Sequence, residues 1–283
     1  MFPKLSGNGL RRIVLPPALW FSCLFAVQAD DWPNWSGAFH DGISRETDFA
    51  DTWPKEGLPI EWTREIGTGF SSVSVAGQRL FAMGHKDDTE TVWCLNCQNG
   101  EVIWTHEYPG ELIPNLHEGG PCSTPTIDGD RVYTVGKEGQ LYCLNVADGK
   151  VLWEKKLQQE LDVKLPEWGF SSSPRILGNQ LILEAGRVVS FDRLNGNKLW
   201  QTEIHEAGYG SAAVFQHGGN TLIATLDCEG LRVVDSANGQ QVAFAEWKSP
   251  YRTNASTPIV VGDQIFVSTG YKVGCGLFRL HGE

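Results

Sequence analysis

The stretch Cys143-Leu-Asn-Val-Ala-Asp-Gly149-Lys-Val-Leu-Trp153 predicts a strand, a tight turn at Asp148-Gly149 and a second strand that ends on a tryptophan. A glycine at this place supplies the positive φ angle that a tight hairpin turn needs. The side chain of Asn145 is placed to bond amides of the turn. The indole of Trp153 brings a large apolar face that has to be buried. We interpret the stretch as a hairpin that packs against a neighbouring unit.

The same pattern recurs on both sides of this stretch. Residues 94–104 and 190–200 repeat it with the turn glycine and the final tryptophan, and residues 233–243 keep the glycine but end on Ala243. The copies begin at residues 94, 143, 190 and 233, and self-similarity at such a period is typical of an array of supersecondary units. No stretch shows helical periodicity over three turns, so the sequence predicts an all-β protein.

A small first residue, a turn glycine and a final tryptophan at this spacing resemble the tryptophan-docking motif of the pyrroloquinoline-quinone (PQQ) type of β-propeller. The resemblance covers roughly residues 60–280. In that family the indole of one blade stacks on the next blade. The resemblance therefore implies a structural docking role for a set of residues, namely Cys94, Gly100, Trp104, Cys143, Gly149, Trp153, Ser190, Gly196 and Trp200.

Residues 58–283 are expected to form the blades of the propeller, each with four strands. The predicted blades are residues 67–104, 118–153, 167–200, 207–244 and an incomplete fifth at 252–283. Because the last repeat stops before its turn glycine and tryptophan, we expect a C-terminally truncated arc of four full blades and a partial fifth. The alternative is a closed five-bladed ring, in which residues 58–66 pair with residues 276–281 and complete the last blade.

Residues 1–29 read as a secretory signal peptide, because basic residues precede an apolar run and Val27-Gln-Ala29 is a cleavage pattern. We predict cleavage after Ala29 and export to the periplasm or the extracellular space. Cys23 raises the alternative of a lipid anchor, but Trp20-Phe21 does not suit a lipidation motif, so no anchor is expected. Residues 30–57 form an aromatic-rich lead-in, which resembles the opening of secreted bacterial propellers of this type.

The formal net charge of −11 at pH 7 disfavours nucleic acid and anionic membrane surfaces as partners, since both repel an acidic protein. No metal site is predicted. Cys94 and Cys97 lie three residues apart on a strand and point to opposite faces, and the histidines have no metal-ligand spacing. Disulfides among Cys97, Cys122, Cys228 and Cys275 remain open, because pairing cannot be derived from the sequence.

The family resemblance implies two alternative functions. Relatives of the BamB type are protein-binding scaffolds, whereas the quinoprotein dehydrogenases hold PQQ with calcium and have a pair of adjacent cysteines. No two cysteines are adjacent in this sequence. We therefore expect a secreted, non-catalytic scaffold of the cell envelope that binds a protein partner or a small ligand and needs no cofactor. A PQQ-dependent oxidoreductase is the alternative.

The links between blades are longer and more variable than the hairpins, and variable loops on a rigid scaffold tend to carry function. Together with the loops between the second and third strands, they are expected to share one face of the propeller. Aromatic and polar residues stand where the links re-enter the innermost strands, and we predict that they form a ligand or partner rim. These residues are Phe70, Trp168, Tyr209, Arg252 and Asn254. The alternative is that Phe70, Trp168 and Tyr209 merely plug the top of the channel.

Overall fold

The computed structural model describes residues 30–47, 52–115 and 117–281. The predicted signal peptide, with Cys23 and the cleavage site after Ala29, lies outside the described residues. Within the described ranges, no helix is both long and apolar enough to pass through a membrane.

The described residues form five antiparallel sheets in chain order, four of four strands and one of three, with each strand beside the next in sequence. The first sheet contains β1 (Ser74–Ala76), β2 (Arg79–Lys86), β3 (Thr89–Asn96) and β4 (Val102–Pro109). The second contains β5 (Thr126–Asp128), β6 (Arg131–Val135), β7 (Gln140–Asn145) and β8 (Val151–Lys156). The third contains β9 (Arg175–Leu177), β10 (Gln180–Glu184), β11 (Val188–Asp192) and β12 (Lys198–Gln201), and the fourth contains β13 (Ala213–His217), β14 (Asn220–Leu226), β15 (Gly230–Asp235) and β16 (Gln241–Glu246). The fifth sheet contains β17 (Ile259–Val261), β18 (Gln264–Thr269) and β19 (Gly274–Arg279). A short helix, α1 (Leu157–Leu161), lies in the link after β8. This architecture confirms the predicted all-β propeller blades.

Each docking hairpin has the local chemistry that its sequence predicts. The side-chain oxygen of Asn145 accepts a hydrogen bond from the amide of Ala147 at 2.8 Å, and equivalent bonds form in the other three copies. Gly149 has φ +73°. The strand register shifts by a β-bulge immediately after the first residue of every copy, so that Cys143 lies opposite Trp153 across the hairpin.

The indoles dock on the next blade in the same way each time. The ring of Trp104 lies over Gly149, and its Nε1 donates a hydrogen bond of 2.9 Å to the carbonyl of Val146. Trp153 repeats this contact with Gly196 and the carbonyl of Arg193. Two further indoles dock equivalently: Trp200 on Gly239 and Ser236, and Trp62 on Gly100 and Cys97. The core accordingly consists of apolar layers between successive blades.

The docking copy at residues 233–243 lacks the final tryptophan, and the indole of Trp247 replaces it. Trp247 packs over Gly276 and meets Phe278 edge-on, with ring centroids 5.8 Å apart. Its Nε1 donates a hydrogen bond to the hydroxyl of Thr269 at 2.9 Å. Trp247 therefore joins the fourth blade to the fifth, although its position lies outside the repeated pattern.

Residues 58–66 pack against the first blade. Besides the contact of Trp62, Arg64 donates a hydrogen bond from Nε to the carbonyl of Gly100 at 3.1 Å. Among the strand pairings of the described residues, β19 pairs with β18 and with no segment of residues 58–66. The closed five-bladed alternative requires that pairing, so the observed sheets agree with four full blades and a partial fifth.

We expect Gly149→Ala to destabilise the protein more than Gly129→Ala does. Both glycines have positive φ, so both changes carry backbone strain of about 1–2 kcal/mol. A Cβ at Gly149 would in addition lie 2.6 Å from the ring of Trp104, whereas one at Gly129 meets no heavy atom within 4 Å. Overpacking of this kind costs about a further 1–3 kcal/mol. Urea unfolding measures both losses, and equal losses would contradict the docking contact.

Candidate functional site

A cleft of about 670 Å³ opens where the links between blades re-enter the inner strands. Its walls come from the entries to the second, third, fourth and fifth blades and from the loop that joins β18 to β19. The lining residues are Asn115, His117, Cys122, Trp168, Ser171, Tyr209, Thr253, Ala255, Ser256, Ser268, Thr269, Gly270 and Tyr271. The structure thus brings the links and one loop between second and third strands to the same face. We call this site the aromatic cleft.

Two of the predicted rim residues meet in the aromatic cleft. The rings of Trp168 and Tyr209 have centroids 5.5 Å apart and are tilted by 54°. Burial raises the pKa of Tyr209 to about 12, so its hydroxyl is neutral at physiological pH. The indole nitrogen of Trp168 is buried without a hydrogen-bond partner within the described structure. An unpaired donor in such a position is costly, and a ligand that accepts a hydrogen bond would satisfy it.

Phe70 contributes to the same face but not to the cleft wall. Its ring is 52% exposed and contacts the imidazole of His117 edge-on, with centroids 5.2 Å apart. His117 does line the cleft. Burial and the positive charge of Lys137 lower the pKa of His117, which keeps this imidazole neutral at physiological pH. Phe70 therefore lies beside the cleft and contacts one of its lining residues, His117.

Arg252 lies at a neighbouring cleft of about 540 Å³ that shares Tyr209 with the aromatic cleft. Its backbone has φ +54°, and its guanidinium forms an ion pair with Glu206. The carboxylate partner neutralises the charge, and the side chain is 61% exposed. Arg252 therefore lines the neighbouring cleft and not the aromatic cleft.

Asn254 is fully buried and is not among the residues that line the aromatic cleft. Its Nδ2 donates hydrogen bonds to the carbonyls of Asp227 and Trp247, at 2.8 and 2.6 Å, and its Oδ1 accepts one from the hydroxyl of Thr269 at 2.8 Å. Every polar group of the amide is thus engaged within the protein. This geometry gives Asn254 a structural role in joining the fourth blade to the fifth, in place of the ligand contact that the sequence suggested.

A buried network of charges lies behind the neighbouring cleft. His205 Nε2 lies 3.0 Å from Glu184 Oε1 and 3.9 Å from Asp227 Oδ2. Asp227 Oδ2 pairs with Arg232 Nε at 2.9 Å, and its Oδ1 accepts two backbone amide hydrogen bonds. Burial raises the pKa of Glu184, against the opposing effect of His205. The network thus joins the link between the third and fourth blades, which contains His205, to Glu184 of β10.

The predicted rim did not include most of the residues that line the aromatic cleft, among them Tyr271, His117 and Cys122. Tyr271 lines the aromatic cleft and stacks edge-on with Tyr251, with ring centroids 4.8 Å apart. His117 and Cys122 line it from the second blade. A signal for Tyr271 was present, because the loops between second and third strands were expected on this face. No pattern in the sequence singled out His117 or Cys122.

Repeated docking hairpins, sequential four-stranded sheets and layers of core between blades define a PQQ-type β-propeller. A family model described as "Outer membrane protein assembly factor BamB" matches residues 89–279. The chain belongs to this family. No curated protein matches the sequence.

Solved structures of the same architecture are similar at low sequence identity. Quinohemoprotein alcohol dehydrogenase from Comamonas testosteroni has a TM-score of 0.58 and 13% identity, with 87% of this chain and 45% of that chain covered. BamB from Moraxella catarrhalis has a TM-score of 0.39 and 14% identity, with 79% and 74% covered. This chain therefore spans less than half the length of the dehydrogenase, and the likeness shows the fold alone.

This sequence departs from the quinone-binding set that the dehydrogenase resemblance implies in its cysteines. The sequence has no pair of adjacent cysteines, and the six cysteines of the described residues are free thiols. No group of three or more His, Cys, Asp or Glu side chains suited to a metal ion is found in the part of the chain that the structure describes. We derive no chemical step through a quinone or a metal, and the absence of a cofactor stays a prediction.

Proposed function

We propose that this protein is an exported, non-catalytic β-propeller scaffold of the cell envelope, which binds a protein partner or a small ligand in the aromatic cleft. One observation carries the proposal: Trp168, Tyr209 and Tyr271, which come from three different blades, line one cleft. Tyr and Trp dominate binding hot spots because they bury a large area and lose little side-chain entropy. The name of the matching family, an assembly factor for outer membrane proteins, supports a protein as the partner.

The geometry suits an extended segment of a partner protein or a flat ligand. The cleft runs past the entries of four blades, and its rings alternate with hydroxyl groups such as those of Ser171, Ser256 and Ser268. Rings supply the contact area, while hydroxyl groups and the unpaired indole N–H of Trp168 supply hydrogen bonds. The acidity of the chain favours a partner surface that is not itself strongly acidic.

A double change in the cleft tests this function. The mature chain is immobilised and incubated with an envelope extract, and the retained protein is identified and its affinity measured. Trp168→Ala with Tyr209→Ala should weaken that affinity about tenfold or more, which corresponds to about 1.4 kcal/mol. Phe39→Ala is the matched control, since Phe39 is more exposed than either ring and lines neither cleft.

The result that contradicts the proposal is an unchanged affinity in a double variant that still folds. The binding surface would then lie elsewhere on the propeller. A loss of affinity in Phe39→Ala as large as in the double variant would show that any exposed ring contributes, and would also contradict the cleft as the site.

The alternative function is that of a quinoprotein oxidoreductase, which the similarity of fold to the quinohemoprotein alcohol dehydrogenase supports. Incubation of the mature chain with PQQ and calcium, followed by an absorbance spectrum and a dye-linked alcohol oxidation assay, separates the two functions. We expect no bound quinone chromophore and no oxidation. A chromophore together with alcohol-dependent dye reduction would replace the scaffold proposal.

A further inference from the structure

A buried lysine faces a thiol on the wall of the aromatic cleft. Lys137 is 0% exposed, and its Nζ lies 3.4 Å from Sγ of Cys122. Within the described residues, no carboxylate lies within the 4.0 Å of an ion pair from Lys137. Its backbone amide donates to the carboxylate of Glu90, but this bond does not involve the ammonium group.

The packing around Lys137 holds its side chain in this direction. A Cβ at Gly169 would lie 2.6 Å from Cδ of Lys137 and 2.8 Å from its Cε, so the lysine stem runs directly along that glycine. A buried ammonium without a counter-ion is costly, because water no longer solvates its charge. The sulfur of Cys122 is the polar atom that the ammonium contacts, and a thiolate would supply the missing negative charge.

Cys122 differs from the other thiols in its combination of surroundings. Cys94 and Cys143 also have a cation beside the sulfur, the guanidinium groups of Arg79 and Arg131, but both lie in the core, where burial raises their pKa values. Cys228 is buried and donates to two backbone carbonyls. Cys97 is half-buried and its Sγ contacts the carbonyl of Gly77, much as Sγ of Cys122 contacts the carbonyl of Gly120 at 3.6 Å, while Cys275 is exposed on β19. Among the described cysteines, Cys122 alone combines a place on a cleft wall with a buried ammonium.

We propose that Cys122 is a nucleophilic thiol, which forms a mixed disulfide with a disulfide-bearing partner or small molecule held in the aromatic cleft. Lys137 stabilises the thiolate, and the rings of Trp168 and Tyr209 position the incoming disulfide. The thiolate sulfur attacks one sulfur of that disulfide, a new S–S bond forms and the old one breaks. The released thiolate takes up a proton, so Cys122 is oxidised, the leaving sulfur is reduced and no further oxidant is needed.

The covalent step rests on the proposed binding function for delivery of the disulfide, but the reactivity of the thiol can be measured without a partner. The mature chain is treated at neutral pH with iodoacetamide and, separately, with the aromatic disulfide dithiobis(nitrobenzoate). Peptide mass spectrometry then gives the rate at each cysteine. Cys122 should react about tenfold or more faster than Cys97, which is also half-buried but has no cation beside it.

Lys137→Met tests the role of the ammonium, since methionine keeps an apolar stem and removes the charge. We expect the rate at Cys122 to fall about tenfold and the rates at Cys97 and Cys275 to stay unchanged. Folding is checked by the unfolding transition. If the variant does not fold, the comparison of Cys122 with Cys97 in the unaltered chain still decides the proposal.

Two results would overturn the thiol proposal: a rate at Cys122 no greater than that at Cys97, or an unchanged rate at Cys122 in a folded Lys137→Met variant. Neither result would contradict the binding function of the cleft. Conversely, the double variant Trp168→Ala, Tyr209→Ala should keep the iodoacetamide rate at Cys122 and react more slowly with dithiobis(nitrobenzoate), because the two rings no longer position this disulfide. Failure of the binding function and failure of the covalent step are therefore distinguishable.

Discussion

Replacing Trp153 by alanine is expected to lower the free energy of unfolding by about 3–5 kcal/mol, the range for large-to-alanine changes in a core. Trp153 is 9% exposed, its ring covers Gly196 of the next blade and its Nε1 donates to the carbonyl of Arg193. It also contacts the ring of Tyr133, with centroids 5.9 Å apart. The change removes all three contacts at once and leaves a cavity between the second and third blades.

Leu152→Ala is the matched control for this prediction. Leu152 precedes Trp153 on the same strand, but its side chain is 42% exposed, so its loss should change stability by about 0.5 kcal/mol or little more. Thermal and urea unfolding, followed by circular dichroism, measure both variants. A Trp153→Ala variant that is no less stable than Leu152→Ala would show that the indole does not hold the two blades together.

Asp227→Ala should be equally damaging, with a loss of about 3–5 kcal/mol, because it leaves the largely buried guanidinium of Arg232 with only the more exposed carboxylate of Glu229, at 3.5 Å, as counter-ion. The carboxylate of Asp227 is 0% exposed and pairs with Nε of Arg232 at 2.9 Å. Its other oxygen accepts hydrogen bonds from the amides of Glu229 and Gly230, at 2.8 and 3.0 Å. All of these donors would remain in place after the change.

A double-mutant cycle separates the pair from its surroundings. Arg232→Met added to Asp227→Ala should restore part of the lost stability, since the buried guanidinium that has lost its nearest carboxylate is removed. The exposed pair of Asp263 and Arg279, at 3.4 Å, is the control, and Asp263→Ala should cost about 1 kcal/mol or less. Equal losses for Asp227→Ala and Asp263→Ala would contradict the buried network.

The docking hairpins could be predicted from the sequence because their chemistry is local. A turn glycine, an Asn or Asp that bonds the turn amides and a terminal tryptophan all lie within a few residues of one another, and the same set recurs along the chain. The period then placed the blades. The replacement of the missing fourth indole by Trp247 could not be predicted in this way, since its contact with Gly276 depends on how two successive sheets pack.

Only part of the candidate site could be predicted from the sequence. Because the links were expected to share a face, Trp168 and Tyr209 were predicted to lie at the rim, and the structure places both in one cleft. It could not say which way each side chain points. Asn254 stands at an equivalent link, but its amide turns inward because the carbonyls of Asp227 and Trp247 and the hydroxyl of Thr269 need partners there.

By itself, therefore, the sequence determined the class of fold, the repeating unit and the three indoles, Trp104, Trp153 and Trp200, that join the first four blades, because short-range turn chemistry and burial of large indoles dictate them. Only the tertiary structure decided the composition of the aromatic cleft and the contact of Lys137 with Cys122. Residues from four blades converge there across long separations in the chain. Their convergence depends on the angle between packed sheets, for which the sequence carries no local pattern.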